Sequence, residues 1–232
     1  MALQLIPLVL ARLPGRFAAA LGIAVQAGAA ERQKWFLAAI LYGARISGKL
    51  AARTYQVFAD RGIYTPEAIL EQGWDNLVVL LDAGGYARYD FKTATKLLQV
   101  MASLKEQYQG SLERLQEVAA DGPDLEKRLQ DLAPGIGPAT ANIFLRELRG
   151  VWAKANPGLS PLAQLAGEHL GLLPPGLNPD AALAALEAEW RRQPAAPHDF
   201  ADLEAALVRL GRDFCRKPPG LPCPMEVYCG HR

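Results

Sequence analysis

The sequence predicts an all-α protein, and three observations support this prediction. Apolar residues recur at helical spacing along most of the chain, as in the stripe formed by Trp35, Ala38 and Tyr42. Clean alternation of β-branched and polar residues, which is typical of strands, is nearly absent. Helix-start signals, each a capping residue followed by proline, occur at Thr65-Pro66 and Ser160-Pro161. We therefore expect about ten short helices with short connections.

The expected helices follow one another with few residues between them. One lies in the apolar N-terminal segment, and the next two carry the stripe after Trp35 and the basic residues that follow it. The later helices are expected, in chain order, at about 66–71, 75–81, 89–107, 112–120, 125–132, 138–148, 161–171, 180–192 and 199–214. Glycine- and proline-containing turns separate them, as at Gly84-Gly85 and Gly110-Ser111, and Ser111 is expected to cap the helix that follows it.

Length and composition set the class of protein. The chain has 232 residues, half of them hydrophobic, which is enough for a core in one compact unit or in two packed lobes. With 25 basic and 24 acidic residues, net charge alone does not indicate a nucleic-acid partner. Arg12, Pro14 and Arg16 interrupt the apolar N-terminal segment, so we expect neither a membrane span nor a signal peptide. A cytoplasmic monomer is expected.

The most informative segment is a turn between two helices at residues 132–142. Gly135 and Gly137 are expected to adopt positive φ, and Ile136 to insert into the core between them. The backbone amides of Gly137, Ala139 and Thr140 would then face outward at a helix N-terminus, which is an anion site. Such a site grips a phosphate without reading a base. The alternative is an ordinary corner between two helices.

This turn resembles the helix-hairpin-helix motif, on the residues 133–137 (Ala-Pro-Gly-Ile-Gly) followed by Thr140-Ala141-Asn142. Residues 41–45, 84–89 and 207–215 extend the similarity to endonuclease III-like DNA glycosylases, over about residues 30–232. The resemblance implies two lobes. One is a six-helix domain at 32–152 with the hairpin at about 124–148, and the other combines 1–31 with 153–232.

Members of this family flip a base out of the duplex and cleave its glycosidic bond. Their lysine nucleophile corresponds to Ala139, which cannot form a Schiff base, and their aspartate corresponds to Ser160, which carries no charge. Lys154, Glu147 and Glu168 are candidate replacements, with solvated surface charges as the alternative. The resemblance implies a monofunctional DNA glycosylase; the alternative is a noncatalytic glycosylase-like protein that binds lesions or DNA structure.

DNA is the expected partner, and a nucleoid-associated location is expected. The residues expected to contact it are basic or aromatic, or lie in the hairpin: Gly135, Ile136, Gly137, Ala139, Thr140, Arg45, Lys49, Tyr86, Arg88, Lys92, Arg216 and Lys217. Further basic residues, Arg53, Lys96, Arg146, Arg149 and Arg212, complete four groups expected to flank one groove. The alternatives are core tyrosines and solvated helix faces.

All three cysteines lie near the C-terminus: Cys215, Cys223 and Cys229. The interval between the last two matches the cluster loop of the resembled family, whose four cysteines bind iron and sulfur. With His231 as a fourth ligand, the resemblance implies a four-iron cluster, and a Cys3His zinc site is also chemically reasonable. The alternative is a lost cluster whose cysteines pack as small apolar residues.

Overall fold

The computed structural model describes residues 4–44, 46–216 and 222–230. In these residues there are eleven α-helices and no strand, so the all-α prediction is confirmed for the described part of the chain. The chain forms two compact units. We call Leu21–Asn156 the hairpin unit, and Met1–Ala20 with Pro157–Arg232 the terminal unit. Residues 21–31 and 153–156 therefore group with the hairpin unit, whereas the implied lobe boundaries are 32 and 152.

The helices are short and closely spaced. In chain order they are α1 (Leu5–Arg12), α2 (Ala29–Tyr42), α3 (Gly48–Ala59), α4 (Pro66–Ala83), α5 (Asp90–Tyr108), α6 (Leu112–Val118), α7 (Gly122–Asp131), α8 (Pro138–Arg146), α9 (Pro161–His169), α10 (Pro179–Arg192) and α11 (Phe200–Leu210). Two 3-10 turns lie at Ala19–Leu21 and Glu226–Tyr228, and a π-helical turn, Gly211–Cys215, continues α11.

Helix α2 is the centre of the hairpin unit and packs against α3, α6 and α8. Its second half, residues 35–41, is buried on all sides, as expected of a helical stretch that is apolar all round. The indole Nε1 of Trp35 donates to the carbonyl of Phe144 at 3.0 Å, and the rings of Phe36 and Phe144 meet edge to face at 5.0 Å. Each buried ring contributes about 1.5–3 kcal/mol through its apolar area, so α2 and α8 are held firmly together.

Side-chain caps set the helix starts where the sequence predicts them. The hydroxyls of Thr65, Ser111 and Ser160 accept from the amides three residues on, at 3.2, 3.1 and 3.3 Å, which confirms these predicted caps. The two helices predicted at 66–71 and 75–81 are both present and meet within α4, where the backbone of Gly73 is not helical. Gly73 has φ +67 inside α4, a conformation that glycine reaches without strain.

The terminal unit is built on α11, which packs against α1 and α9. The approach to α9 is close because residue 211 lacks a side chain. A Cβ on Gly211 would lie 2.8 Å from the carbonyl carbon of Leu162. Arg16 forms ion pairs with Asp199 and Asp202, which joins the N-terminal segment to the start of α11. Among the described residues, no helix has the length and apolarity needed to cross a membrane.

Candidate functional site

The hairpin between α7 and α8 leaves one helix start open. Gly137 is the N-cap of α8 and provides no side-chain hydrogen bond, and the N1 residue Pro138 has no N–H. In the described part of the chain, the amides of Gly137 and Ala139 have no acceptor. The amide of Thr140 donates to the carbonyl of Gly137 at 3.0 Å, so the prediction that it faces outward is wrong. Two amides at the positive end of a helix therefore remain for an anion.

The two hairpin glycines differ in conformation. Gly135 has φ +89, the left-handed region that favours glycine, as the turn prediction requires. Gly137 has φ −103, which is extended backbone that any residue adopts, so its predicted positive φ is wrong. A Cβ on Gly137 would meet nothing within 4 Å. Between them Ile136 is only 4% exposed and anchors the turn in the core.

Thr140 has a structural role. Its side chain is buried and packs against Gly43 at the end of α2, where an added Cβ would collide with the Thr140 hydroxyl. The side chain of Thr140 is therefore directed away from solvent. Ala139 is exposed in the first turn of α8, so this position is open to a partner.

A groove of about 550 Å³ adjoins the hairpin. Its lining combines hairpin, aromatic, basic and small polar residues: Ala44, Trp74, Tyr89, Phe91, Lys92, Thr93, Thr95, Lys96, Gln99, Pro134 and Gly135. The half-buried Lys96 packs against the hairpin turn, since a Cβ on Gly135 would lie 3.0 Å from Lys96 Cε. Burial lowers the pKa of the Lys96 ammonium. Of the expected DNA contacts, the structure brings together Lys92 and Gly135 here.

Two exposed aromatic residues in this groove were missed by sequence reasoning. Trp74 is 40% exposed and Phe91 is 59% exposed, and their ring centroids lie 5.2 Å apart. Helical periodicity would place both in the core, because Trp74 lies three residues before Leu77 and Phe91 three before Ala94. Trp74 directly follows the Gly73 kink, and Phe91 lies in the first turn of α5. At both places the apolar face of the helix extends beyond the core.

The loop before α5 contains both a core residue and a surface residue. Tyr86 is 1% exposed, and its hydroxyl donates to the carbonyl of Leu41 at 2.9 Å. Burial raises the pKa of Tyr86 to about 12. Its predicted contact with DNA is therefore wrong, since the ring would have to leave the core. Arg88 is exposed, and its guanidinium lies 5.6 Å from the centroid of the Tyr89 ring.

The predicted basic groups separate into exposed and buried members. Lys49 and Arg216 are exposed. Arg146 and Arg149 are buried, so the prediction that they belong to a basic surface is wrong. Arg53 Nε donates to the carbonyl of Gly84 at 2.7 Å and braces the end of α4. The predicted contacts Arg45 and Lys217 lie outside the described residues.

The three candidate catalytic residues each interact with other parts of the protein. Lys154 Nζ donates to the carbonyls of Gln116, Glu117 and Ala119 at 2.9, 3.0 and 2.5 Å, so it caps the C-terminal end of α6. This amine is not placed as a free catalytic group. Glu147 is 1% exposed and has an interaction partner, so it is not the solvated charge given as its alternative. Glu168 accepts from Gln164 one turn earlier on α9 at 3.0 Å.

The described part of the cysteine segment contains all three thiols. Cys215, Cys223 and Cys229 are all partly buried, and burial, followed by the neighbouring thiols, raises the pKa of Cys215 to about 11. Among the described residues, no three metal-ligating side chains are close enough to hold an ion. The residues described here therefore do not complete the donor set of a cluster. His231 lies outside them, and the metal site stays a prediction.

The two all-α units define an endonuclease III-like helical fold. The chain is similar to a solved structure of a trapped endonuclease III–DNA covalent intermediate in an estranged-adenine complex. The TM-score is 0.51 and the identity 19%, over 84% of this chain and 82% of that chain. No protein-family model and no curated protein matches the chain. At this identity the likeness establishes the fold.

Proposed function

We propose that this protein binds DNA through the hairpin between α7 and α8. The endonuclease III-like fold carries the proposal, since the solved structure that it resembles is a complex with DNA. The free amides of Gly137 and Ala139 offer two donors to a phosphate group, and the α8 dipole adds to the attraction. This contact fixes the duplex in place without selecting a sequence.

Exposed basic residues would supplement this contact. The proposed set consists of Lys49, Arg88, Lys92 and Arg216, together with Arg45 and Lys217 from the sequence alone. Because the net charge is only +1, binding depends on where these residues lie. A moderate affinity that falls steeply with salt is expected.

The residues at the positions of the family's catalytic groups favour a protein that binds DNA without a chemical step. Ala139 cannot act as an amine nucleophile, and Lys154 is engaged by three carbonyls of α6 and its end. The Ser160 hydroxyl caps α9, so it replaces the expected carboxylate with a neutral structural group. None of these side chains would stabilise a positively charged sugar in the transition state.

Base excision is a second candidate, favoured by the likeness to a covalent endonuclease III–DNA intermediate. This chain would act by water attack, because the Schiff-base route lacks its lysine. Glu147 is the buried carboxylate closest in sequence to the hairpin helix. It is therefore the first residue to replace if excision is observed.

One experiment separates the two candidates. Purified protein is incubated with duplexes containing uracil, a thymine–guanine mismatch, oxidised bases, alkylated bases or an abasic site, and with an unmodified duplex. Strand breaks are measured with and without alkali, and binding is measured on the same duplexes. Binding without breaks supports recognition without chemistry. Alkali-dependent breaks at one damaged or mismatched base, absent without the protein, support a monofunctional glycosylase, and absence of binding to every duplex contradicts both.

The metal is a separate part of the proposal. Three cysteines with His231 would complete a four-ligand set for a four-iron cluster or for zinc. Elemental analysis of the full chain for iron and zinc, beside a variant with Cys223→Ser, tests this set. One equivalent of zinc, or four of iron, that is lost in the variant supports it, whereas metal-free protein contradicts it.

A further inference from the structure

The groove beside the hairpin has the chemistry of a site for unpaired DNA. Trp74 and Phe91 expose their rings side by side, although such large apolar surfaces are normally buried. The two ring planes are tilted by 43°, and Trp74 Nε1 donates to the Thr95 hydroxyl at 3.0 Å. This hydrogen bond orients the indole, so its position does not depend on a bound partner.

The charges in the groove favour a nucleic acid over an apolar peptide. Lys92 and Lys96 line it, and among the described residues that line it there is no aspartate or glutamate. Neither lysine has an acidic partner in the described part of the chain. Aromatic rings beside unpaired lysines are the combination with which proteins hold single strands: bases stack on the rings, and cations follow the backbone.

The hairpin and the groove share a wall. Pro134 and Gly135 of the hairpin line the groove, and Lys96 packs against Gly135. The groove therefore begins next to the hairpin, so one strand of nucleic acid could contact both. The volume of about 550 Å³ is within the range of about 300–1,000 Å³ that is usual for ligand pockets.

We propose that this groove binds an unpaired nucleotide of single-stranded DNA, its base stacked on Trp74 and Phe91 and its phosphates beside Lys92 and Lys96. The inference rests on the proposed DNA binding by the hairpin and names its preferred form of DNA. The protein selects duplexes that carry an unpaired strand next to the paired segment.

The experiment compares a blunt duplex, the same duplex with a single-stranded thymidine tail on either strand, and free oligothymidine, by fluorescence anisotropy at constant salt. The full chain binds a tailed duplex about tenfold more tightly than the blunt one, since stacking of each base is commonly worth this factor or more. The double variant Trp74→Leu with Phe91→Leu keeps apolar side chains but lacks the rings. It loses the preference for the tail and keeps the affinity for the blunt duplex.

Two controls come from the same helices. Val79→Ala removes an exposed apolar side chain from α4 outside the groove, and Lys105→Ala removes an exposed lysine from α5 outside it. Both retain the preference for the tail. Phe91→Tyr also retains it because the aromatic face remains. Melting curves of each variant verify folding.

The outcomes distinguish the two proposals. Equal affinity for tailed and blunt duplexes in the unmodified chain overturns the groove proposal while leaving the hairpin proposal intact. A tail preference that persists in the double variant also overturns it, because the rings are then not its source. Failure to bind the blunt duplex contradicts the hairpin proposal. Quenching of tryptophan fluorescence by oligothymidine, reduced in Trp74→Phe, supports stacking at Trp74 independently of affinity.

Discussion

Helices α8 and α9 begin in the same way and differ in how their first amides are satisfied. Each has proline at its first position, Pro138 and Pro161, which suits a residue without an N–H. At α9 the buried Ser160 hydroxyl accepts the amide of Ala163 at 3.3 Å, so the chain closes this end itself. At α8 Gly137 offers no side chain. A closed helix end contributes to stability, whereas an open one is available to a ligand.

The strongest test closes the open end. Gly137→Asp places a carboxylate at the N-cap of α8, in an extended conformation that capping residues adopt and in space that holds no neighbour. DNA affinity is expected to fall about tenfold to a hundredfold, because the negative side chain competes with the phosphate. The melting temperature is expected to stay the same or rise. Titration of a labelled duplex and a thermal melt measure the two effects.

Gly137→Ser is the matched control for this substitution. It caps α8 without adding charge, so it is expected to lose less affinity than the aspartate variant while melting at a similar temperature. Equal affinity in the unmodified chain and in Gly137→Asp would show that the start of α8 does not contact DNA.

Loss of the side-chain cap at the C-terminal end of α6 is expected to have the largest effect on stability. Lys154 donates to three carbonyls at the end of α6, and Lys154→Met keeps an apolar stem but removes every donor. Unfolding free energy is expected to fall by about 1.5–2 kcal/mol, the loss typical of hydrogen bonds to a charged group. Urea unfolding measures this loss, with Lys127→Met, an exposed lysine of α7, as the control that changes stability far less. Unchanged stability together with lost base excision would restore Lys154 as a catalytic residue.

Loss of the cap at the start of α9 is expected to lower stability and to leave DNA affinity unchanged. Ser160→Ala leaves the Ala163 amide without its acceptor, which costs about 1 kcal/mol for a typical N-cap. DNA affinity is expected to remain within the error of the titration. Ser160→Asp keeps a capping oxygen and is therefore expected to retain most of the stability. If Ser160→Ala lost DNA affinity at unchanged stability, the start of α9 would contact DNA as the start of α8 is proposed to do.

The sequence was sufficient to predict the fold class, the helix order and the caps at Thr65, Ser111 and Ser160, because these depend on local spacing and on short capping signals. It was not sufficient to predict which aromatic residues are exposed. Tyr86 lies in the loop between α4 and α5, Trp74 follows the Gly73 kink inside α4, and Phe91 lies in the first turn of α5. Tertiary packing, including the contact of Tyr86 with Leu41, buries the first and leaves the other two exposed. Lys154 shows the same limit, since its partners lie 35 to 38 residues away in the chain.

The smallest expected effect comes from adding a positive charge beside the open end. Ala139 is exposed in the first turn of α8, so Ala139→Lys is expected to fold, with a loss of about 0.3–1 kcal/mol because a cation is unfavourable at a helix N-terminus. The new side chain can reach the backbone of a bound duplex. DNA affinity is expected to rise about threefold at low salt, and the log–log salt slope to steepen by about one, as for one added phosphate contact. Titrations at several salt concentrations measure the slope, and a lysine added at Ala102 on the exposed side of α5 is the control. An unchanged slope in Ala139→Lys would mean that DNA does not pass over the start of α8, even if Gly137→Asp weakens binding.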